Sequence, residues 1–150
     1  VNNLIVNNSS GPGVLMMKGG VIGKNWLVSG NEGNGIDFRE FHPRVDTIVS
    51  QNNGRNGLYI YDSTNVEISN VVTIANGLNQ SNPLDGAGIV FHESNIVMSG
   101  GKNTSCNSCI SSGDNHGIVV RDSIDIQLNS IISKNSIISP SLDIDNSNVA

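Results

Sequence analysis

The chain has 150 residues, a formal net charge of −5, 14% charged and 4% aromatic residues, with 17 glycines and an abundance of Asn and Ser. This balance offers no basic patch to neutralise phosphates, which argues against a nucleic-acid partner, and no apolar run long enough to cross a bilayer as a helix. Nor does it describe a disordered chain, because Ile, Val and Leu recur at short, regular intervals.

The first recurrent element is Gly13-Val14-Leu15, a glycine leading a short apolar run. It returns as Gly35-Ile36-Asp37-Phe38, Gly57-Leu58-Tyr59-Ile60, Gly88-Ile89-Val90-Phe91 and Gly117-Ile118-Val119-Val120, at glycine spacings of 22, 22, 31 and 29 residues. A sixth unit, Ser141-Leu142-Asp143-Ile144, follows 24 residues later, and several units end alike, in Asp62-Ser63, Glu93-Ser94, Asp122-Ser123 and Asn146-Ser147. A second series sets the frame: Asn25, Asp46, Asn70 and Asn129 each lie six residues before Asn31, Asn52, Asn76 and Asn135, with the runs WLVS, TIVS, VVTIA and SIISK between them. In the fifth unit Gly101 and Asn107 are the best match. A period of this length is the mark of a solenoid. A β-sandwich would turn every 8–12 residues or roughly so, without a shared frame. Each unit therefore reads as three short strands separated by turns. Asn suits those turns because it tolerates left-handed dihedrals, and stacked Asn residues at one corner would form an amide ladder. The predicted fold is all-β: one domain over residues 1–150, a single-stranded parallel β-helix of about six coils.

Alternation along the Gly-led strands divides inside from outside. Ile36 and Phe38, Leu58 and Ile60, Ile89 and Phe91, Ile118 and Val120, and Leu142 and Ile144 are predicted to point in. The outer columns then read Asp37, Tyr59, Val90, Val119, Asp143 and Arg39, Tyr61, His92, Arg121, Asp145. A third column, Glu40, Asp62, Glu93, Asp122 and Asn146, falls at the adjoining turn. Carboxylates, cations and rings in one strip suit an extended sugar chain, with rings against pyranose faces and Arg or His on carboxylates and hydroxyls. The opposing interpretation is a solvated face of cross-coil ion pairs with no ligand. Insertions predicted at Gly77 to Ala87 and Ser108 to His116 would wall the strip and bring Asp85, Asp114 and His116 towards it.

The spacing resembles the right-handed parallel β-helices of the pectin-lyase-like superfamily across essentially the whole chain, and the expected handedness comes from that resemblance. Gly35-Ile36-Asp37-Phe38-Arg39-Glu40 also resembles, locally, the catalytic signature of alginate C5-epimerases, a Gly-aromatic-Asp-Pro-His-Glu run. The resemblance implies a catalytic-site role for Asp37, with Glu40 matching the carboxylate that follows. Phe38 replaces the motif Pro, Arg39 its His, and Tyr61 an Asp of the next coil. Arg39 stays protonated and serves to neutralise charge rather than to shuttle protons. Tyr61, Tyr59 and His92 are then the candidates for proton transfer. The expected site assigns catalysis to Asp37, Tyr61 and His92, and substrate binding to Arg39, Glu40, Tyr59, Asp62 and Arg121.

Cys106 and Cys109 have CxxC form, but one pair cannot complete a zinc site, and a loop disulfide or free thiols are the alternatives. No metal or other cofactor is expected, except that calcium is used by several relatives of this resemblance. His42, Pro43 and Arg44 read as turn residues, and Trp26 as packing. Neither end carries a recognisable cap, so part of a longer helix is expected, its ends covered by further coils or a second copy. The expected function is a carbohydrate-active module acting on or binding an acidic polysaccharide, as a lyase, epimerase or depolymerase. The alternative is a non-catalytic structural or adhesion β-helix, such as part of a viral tailspike. Either would act outside the cell or on a virion surface.

Overall fold

A computed structural model describes residues 1–80, 82–92, 104–123, 126–137, 141–145 and 147, with the backbone alone for 104–109 and 127. The strands in chain order are β1 (Asn2–Asn7), β2 (Val14–Ser29), β3 (Ile36–Gln51), β4 (Leu58–Tyr61), β5 (Val66–Ile74), β6 (Ala87–His92), β7 (Thr104–Ser112), β8 (His116–Arg121), β9 (Ile126–Asn129), β10 (Ile132–Lys134) and β11 (Leu142–Asp145). No helix occurs among the described residues, and their strands pair in parallel to form a β-solenoid of about five turns. The count differs from the expected six because the five Gly-led strands and the Ser141-led strand that follows them enclose five turns. Those strands stack in one series, from Val14 on Ile36 to Leu58, Ile89, Ile118 and Leu142.

Three separate strands per unit are not seen in the second and third elements. Strands β2 and β3 each run for 16 residues through two corners. Each corner is a single residue in the left-handed region, so hydrogen bonding to the next coil barely breaks. One corner is built from Lys18, Glu40, Asp62 and Asp122, and the second from Asn3, Asn25, Thr47, Asn70 and Ser130. The third comprises Asn8, Gly30, Asn52, Ala75, Gly113 and Asn135. Asn and Gly recur there because they occupy this region at least cost.

The predicted Asn ladder exists, with Asn31 and Asn76 as its rungs as expected and Asn53 in place of Asn52. Asn52 and Asn135 are corner residues, and the residue after the corner turns inward. Asn31, Asn53, Asn76 and Asp114 therefore form the ladder, and the fourth rung is Asp114 rather than Asn107. Asn31 donates from N and Nδ2 to Asn53 Oδ1 at 3.1 and 2.8 Å, and Asn53 repeats this on Asn76 at 3.1 and 2.9 Å. Asn76 closes the series on Asp114 Oδ1 at 2.7 and 2.9 Å. The same ladder explains the leading glycines. A Cβ on Gly35 would lie 2.6 Å from Asn53 Nδ2, one on Gly57 2.7 Å from Asn76 Nδ2, and one on Gly88 against Asp114 Oδ2.

The core fills the remaining interior. Phe38, Leu58, Ile60, Ile89, Phe91, Ile118 and Val120 are buried, as alternation predicts, and Ile48 and Val71 join them. Trp26 is packing, as expected, and donates its indole N–H to Val1 O at 3.0 Å. Leu142 and Ile144, expected to point inward, are 45% and 44% exposed, because no described strand stacks beyond β11. On the third side of the coil, Ile5, Leu27, Val49, Val72, Ile110 and Ile132 are in register as an outward aliphatic column.

Candidate functional site

The outer face of the Gly-led strands holds the predicted strip, but its members differ from expectation. Asp37 is fully buried, as are Val90 and Val119. The two valines are covered because the 77–86 loop folds over them: Leu84 and Tyr59 pack with Ala87, Val90 and Val119 in a small second cluster. The predicted insertion at 108–116 is not a loop. Strand β7 runs to Ser112 and a short turn follows, while the extra residues of that coil fall in 93–103, outside the described residues. Glu93 and Asn146 also lie outside them, as do the side chains of Cys106 and Cys109.

Asp37 and Arg39, two residues apart on β3, share one face and bond in bidentate fashion. Arg39 Nε donates to Oδ1 and Nη2 to Oδ2, both at 2.8 Å, and Asn34 Nδ2 donates to Oδ2 at 2.8 Å. The bond to Asp37 raises the Arg39 pKa further above its ordinary value. The Arg39 guanidinium carbon also lies 5.9 Å from the Tyr59 ring centroid, a cation–π geometry. Glu40 occupies the corner and faces Lys18 at 3.8 Å. Asp62 holds the equivalent corner one coil on.

The aromatic members do come together. The Tyr59 and Tyr61 rings lie parallel with centroids 6.2 Å apart, and His92 meets Tyr61 edge-on at 5.2 Å. Tyr59 Oη and His92 Nδ1 are 3.0 Å apart. Burial pushes the Tyr59 phenol up to about 12, aided by the Asp37 charge. Burial also lowers the His92 pKa, against an opposing pull from Asp122 whose Oδ2 is 4.0 Å from Nε2. Near neutral pH the phenol thus keeps its proton and the imidazole is neutral, and the imidazole tautomer sets which of the two donates in the bond between them. Arg121, next in the column, is bonded by Nη2 to Asp143 at 2.8 Å and by Nη1 to Asp145.

A cavity of about 350 Å³ opens beside the Asp37–Arg39 pair, bounded by Pro12, Glu32, Asn34 and Arg55. Larger hollows of about 390 and 510 Å³ lie on another side, around Ile22 and Arg44, where none of the strip residues stands. His42 belongs to that side. It sits within β3, not in a turn, paired with Gly20 and bonded by Nδ1 to Thr64 O at 2.7 Å. Of the loop residues expected to reach the strip, Asp85 pairs with Arg55 at 3.4 Å. Asp114 and His116 are buried.

Sequence reasoning missed Asn34, although Asn34-Gly35 and Asn56-Gly57 repeat at the coil period and so flagged a second inward rung. Asn56 N donates to Asn34 Oδ1 at 3.1 Å, and Ala87 N to Asn56 Oδ1 at 2.7 Å. It also missed that Asp114 is a rung: Ser111 Oγ and Thr73 Oγ1 donate to its Oδ2 at 2.7 and 3.0 Å. Burial raises the Asp114 pKa and these bonds oppose the rise. Among the described residues no group of three or more His, Cys, Asp or Glu is placed to hold a metal ion. Comparison with known proteins finds no family model, no curated protein and no solved structure that matches the chain.

Proposed function

We propose that this chain is a non-catalytic structural or adhesion β-solenoid of a surface protein. The observation that carries this is the state of the arginines. Each of Arg39, Arg44, Arg55 and Arg121 is bonded to a carboxylate, and Arg44 and Arg121 reach theirs on the next coil, Glu67 at 3.3 Å and Asp143 at 2.8 Å. Arg44 and Arg121 thereby tie coils together, Arg39 neutralises buried Asp37 within its own strand, and all four have their charge matched inside the protein. The proton-transfer groups are similarly engaged: Asp37 is buried against Arg39 and Asn34, and Tyr59 and His92 are bonded to each other.

The Tyr59–Tyr61–His92 cluster favours a second reading, in which a polysaccharide lies along the strip between Arg39 and Arg121. Carboxylates of Asp37, Glu40, Asp62, Asp122, Asp143 and Asp145 outnumber the cations Lys18, Arg39 and Arg121 there. That charge repels a polyuronate and favours a neutral, hydroxyl-rich chain.

A glycan array on the soluble protein, with Arg39→Ala and His92→Ala in parallel and urea melts of all three, separates the readings. The scaffold reading expects no glycan captured by any of them. It also expects Arg39→Ala to lower unfolding free energy by about 2 kcal/mol, because buried Asp37 loses its cation. Capture of a neutral glycan that His92→Ala abolishes at unchanged stability would replace it with the binding reading.

A further inference from the structure

Four Asn-Gly pairs lie in the chain: Asn34-Gly35, Asn53-Gly54, Asn56-Gly57 and Asn76-Gly77. In an open chain this dipeptide cyclises readily, because glycine has no side chain to shield its nitrogen. The Gly nitrogen attacks Asn Cγ, an N–Cγ bond forms, the Cγ–Nδ2 bond breaks, and ammonia leaves with the Gly amide proton. Water then opens the succinimide at either carbonyl, giving aspartate or isoaspartate. The solenoid cannot dispense with either residue of these pairs. The amides build the inward rungs, while Gly35 and Gly57 leave room for those rungs, Gly54 passes the Glu32 carbonyl and Gly77 has φ of +62°.

Both reacting groups are pinned at all four places. The asparagines are 7%, 3%, 1% and 0% exposed, in chain order. Gly35 N donates to Asn56 O at 2.8 Å, Gly54 N to Asn31 O at 2.7 Å, Gly57 N to Ala87 O at 3.0 Å and Gly77 N to Asn53 O at 2.9 Å. Each acceptor is a backbone carbonyl of a neighbouring coil, which cannot take the proton the attack must shed. The amides are held as well: Asn34 Nδ2 on Asp37 at 2.8 Å, Asn53 Nδ2 on Asn76 at 2.9 Å, Asn56 Nδ2 on Leu84 O at 2.7 Å and Asn76 Nδ2 on Asp114 at 2.9 Å.

We propose that these four pairs are latent deamidation sites held closed by coil stacking, and that reaction in an opened coil makes unfolding permanent. At Asn53 the product sets a carboxylate oxygen against Asn76 Oδ1, where the ladder needs a donor, and isoaspartate also lengthens the backbone by a methylene. A carboxylate is accommodated at Asp114, where the bonds of the ladder ask only for an acceptor.

The test incubates the protein at mildly alkaline pH, folded and in denaturant, and follows the amide-to-acid mass gain at each site by peptide mapping. Denaturant is then removed at intervals and the refolded fraction is mapped in the same way. The expected result is deamidation about 100-fold slower in the folded protein at all four sites, the suppression a locally opening structure of modest stability provides. Refolding yield should fall in step with modification of Asn53 and Asn76, while chains unfolded only briefly refold fully. A folded-state rate near the open-chain rate at any of the four sites, or refolded chains carrying the modification at Asn53 or Asn76, would overturn the proposal.

Discussion

Two polar columns run along the solenoid, one inside at the third corner and one outside on the Gly-led strands. The inner column is made of amides as far as Asn76, each of which donates and accepts, and it closes on the acceptor Asp114. Asn31, Asn53 and Asn76 are 2%, 3% and 0% exposed and fully engaged. The outer column carries its ions at the two ends, with rings and valines between, and ions satisfy one another only in opposite pairs, most of which stand partly in water. Burial sets the contrast: an unpaired polar group costs far more inside than out. Stacking identical side chains is therefore stabilising when they are amides and repulsive when they are carboxylates, so the inner column can repeat an amide while the outer face sets Asp37 against Arg39 and Asp143 and Asp145 against Arg121.

The largest effect should come from breaking the inner column. Asn53→Ala strands Asn31 N and Asn31 Nδ2 in the interior and leaves Asn76 Oδ1 only the backbone N–H of residue 53. About 3 kcal/mol of stability should be lost, read as a lower urea midpoint. A loss no larger than that of a surface substitution would mean the ladder decorates the corner without holding it.

Two acids sharpen the contrast through pH. Hydrogen bonds from Asn70 and Ser69, with Lys24, lower half-exposed Asp46 from 3.8 to about 2, so its contribution is present above 3.8 and lost as pH falls through 2. Asp114 has the opposite sign. Its raised pKa means that its contribution is present in full below 3.8 and is lost as pH rises through the folded value. In Asp114→Asn the amide still accepts from Asn76, and the Ser111 and Thr73 hydroxyls can turn to accept. Urea midpoints across a pH series should therefore lose their decline above pH 3.8 in the variant. Persistence of that decline would place its origin in another group.

The smallest effect belongs to the outer column. Arg121→Ala removes the bonds to Asp143 and Asp145 on a partly exposed face, and should cost about 1 kcal/mol or less. The difference from wild type should shrink as salt is added. A salt-independent loss comparable to that of Asn53→Ala would erase the distinction between the columns.

Much of the fold was legible because a solenoid repeats its constraints. The glycine spacing located the five Gly-led strands, the Ser141 run continued the series, and alternation placed Ile36, Phe38, Leu58, Ile60, Ile89, Phe91, Ile118 and Val120 in the core. The ladder register was not legible to the residue. Asn52 and Asn53 are adjacent, and only backbone geometry decides which one turns the corner and which faces in. The burial of Asp37, Val90 and Val119 escaped for a different reason. Strand alternation says which face a side chain leaves from, but not that Arg39 or the 77–86 loop then covers it. The candidate site was legible as a set of neighbours, since Tyr59, Tyr61 and His92 do meet. That its charges are already matched within the protein depends on rotamers, which no spacing encodes.

The ladder also gives the stack a direction. Between rungs, each amide from Asn31 to Asn76 donates towards the later coil, and Asp114 closes the series as an acceptor. Coils that look interchangeable in sequence are thus unequal in grammar: an amide rung can stand in mid-sentence, whereas the carboxylate rung is a full stop. Duplicating or shuffling coils would respect this only if Asp114 kept its place behind an amide, and a coil inserted after it would have to begin a new chain of donors.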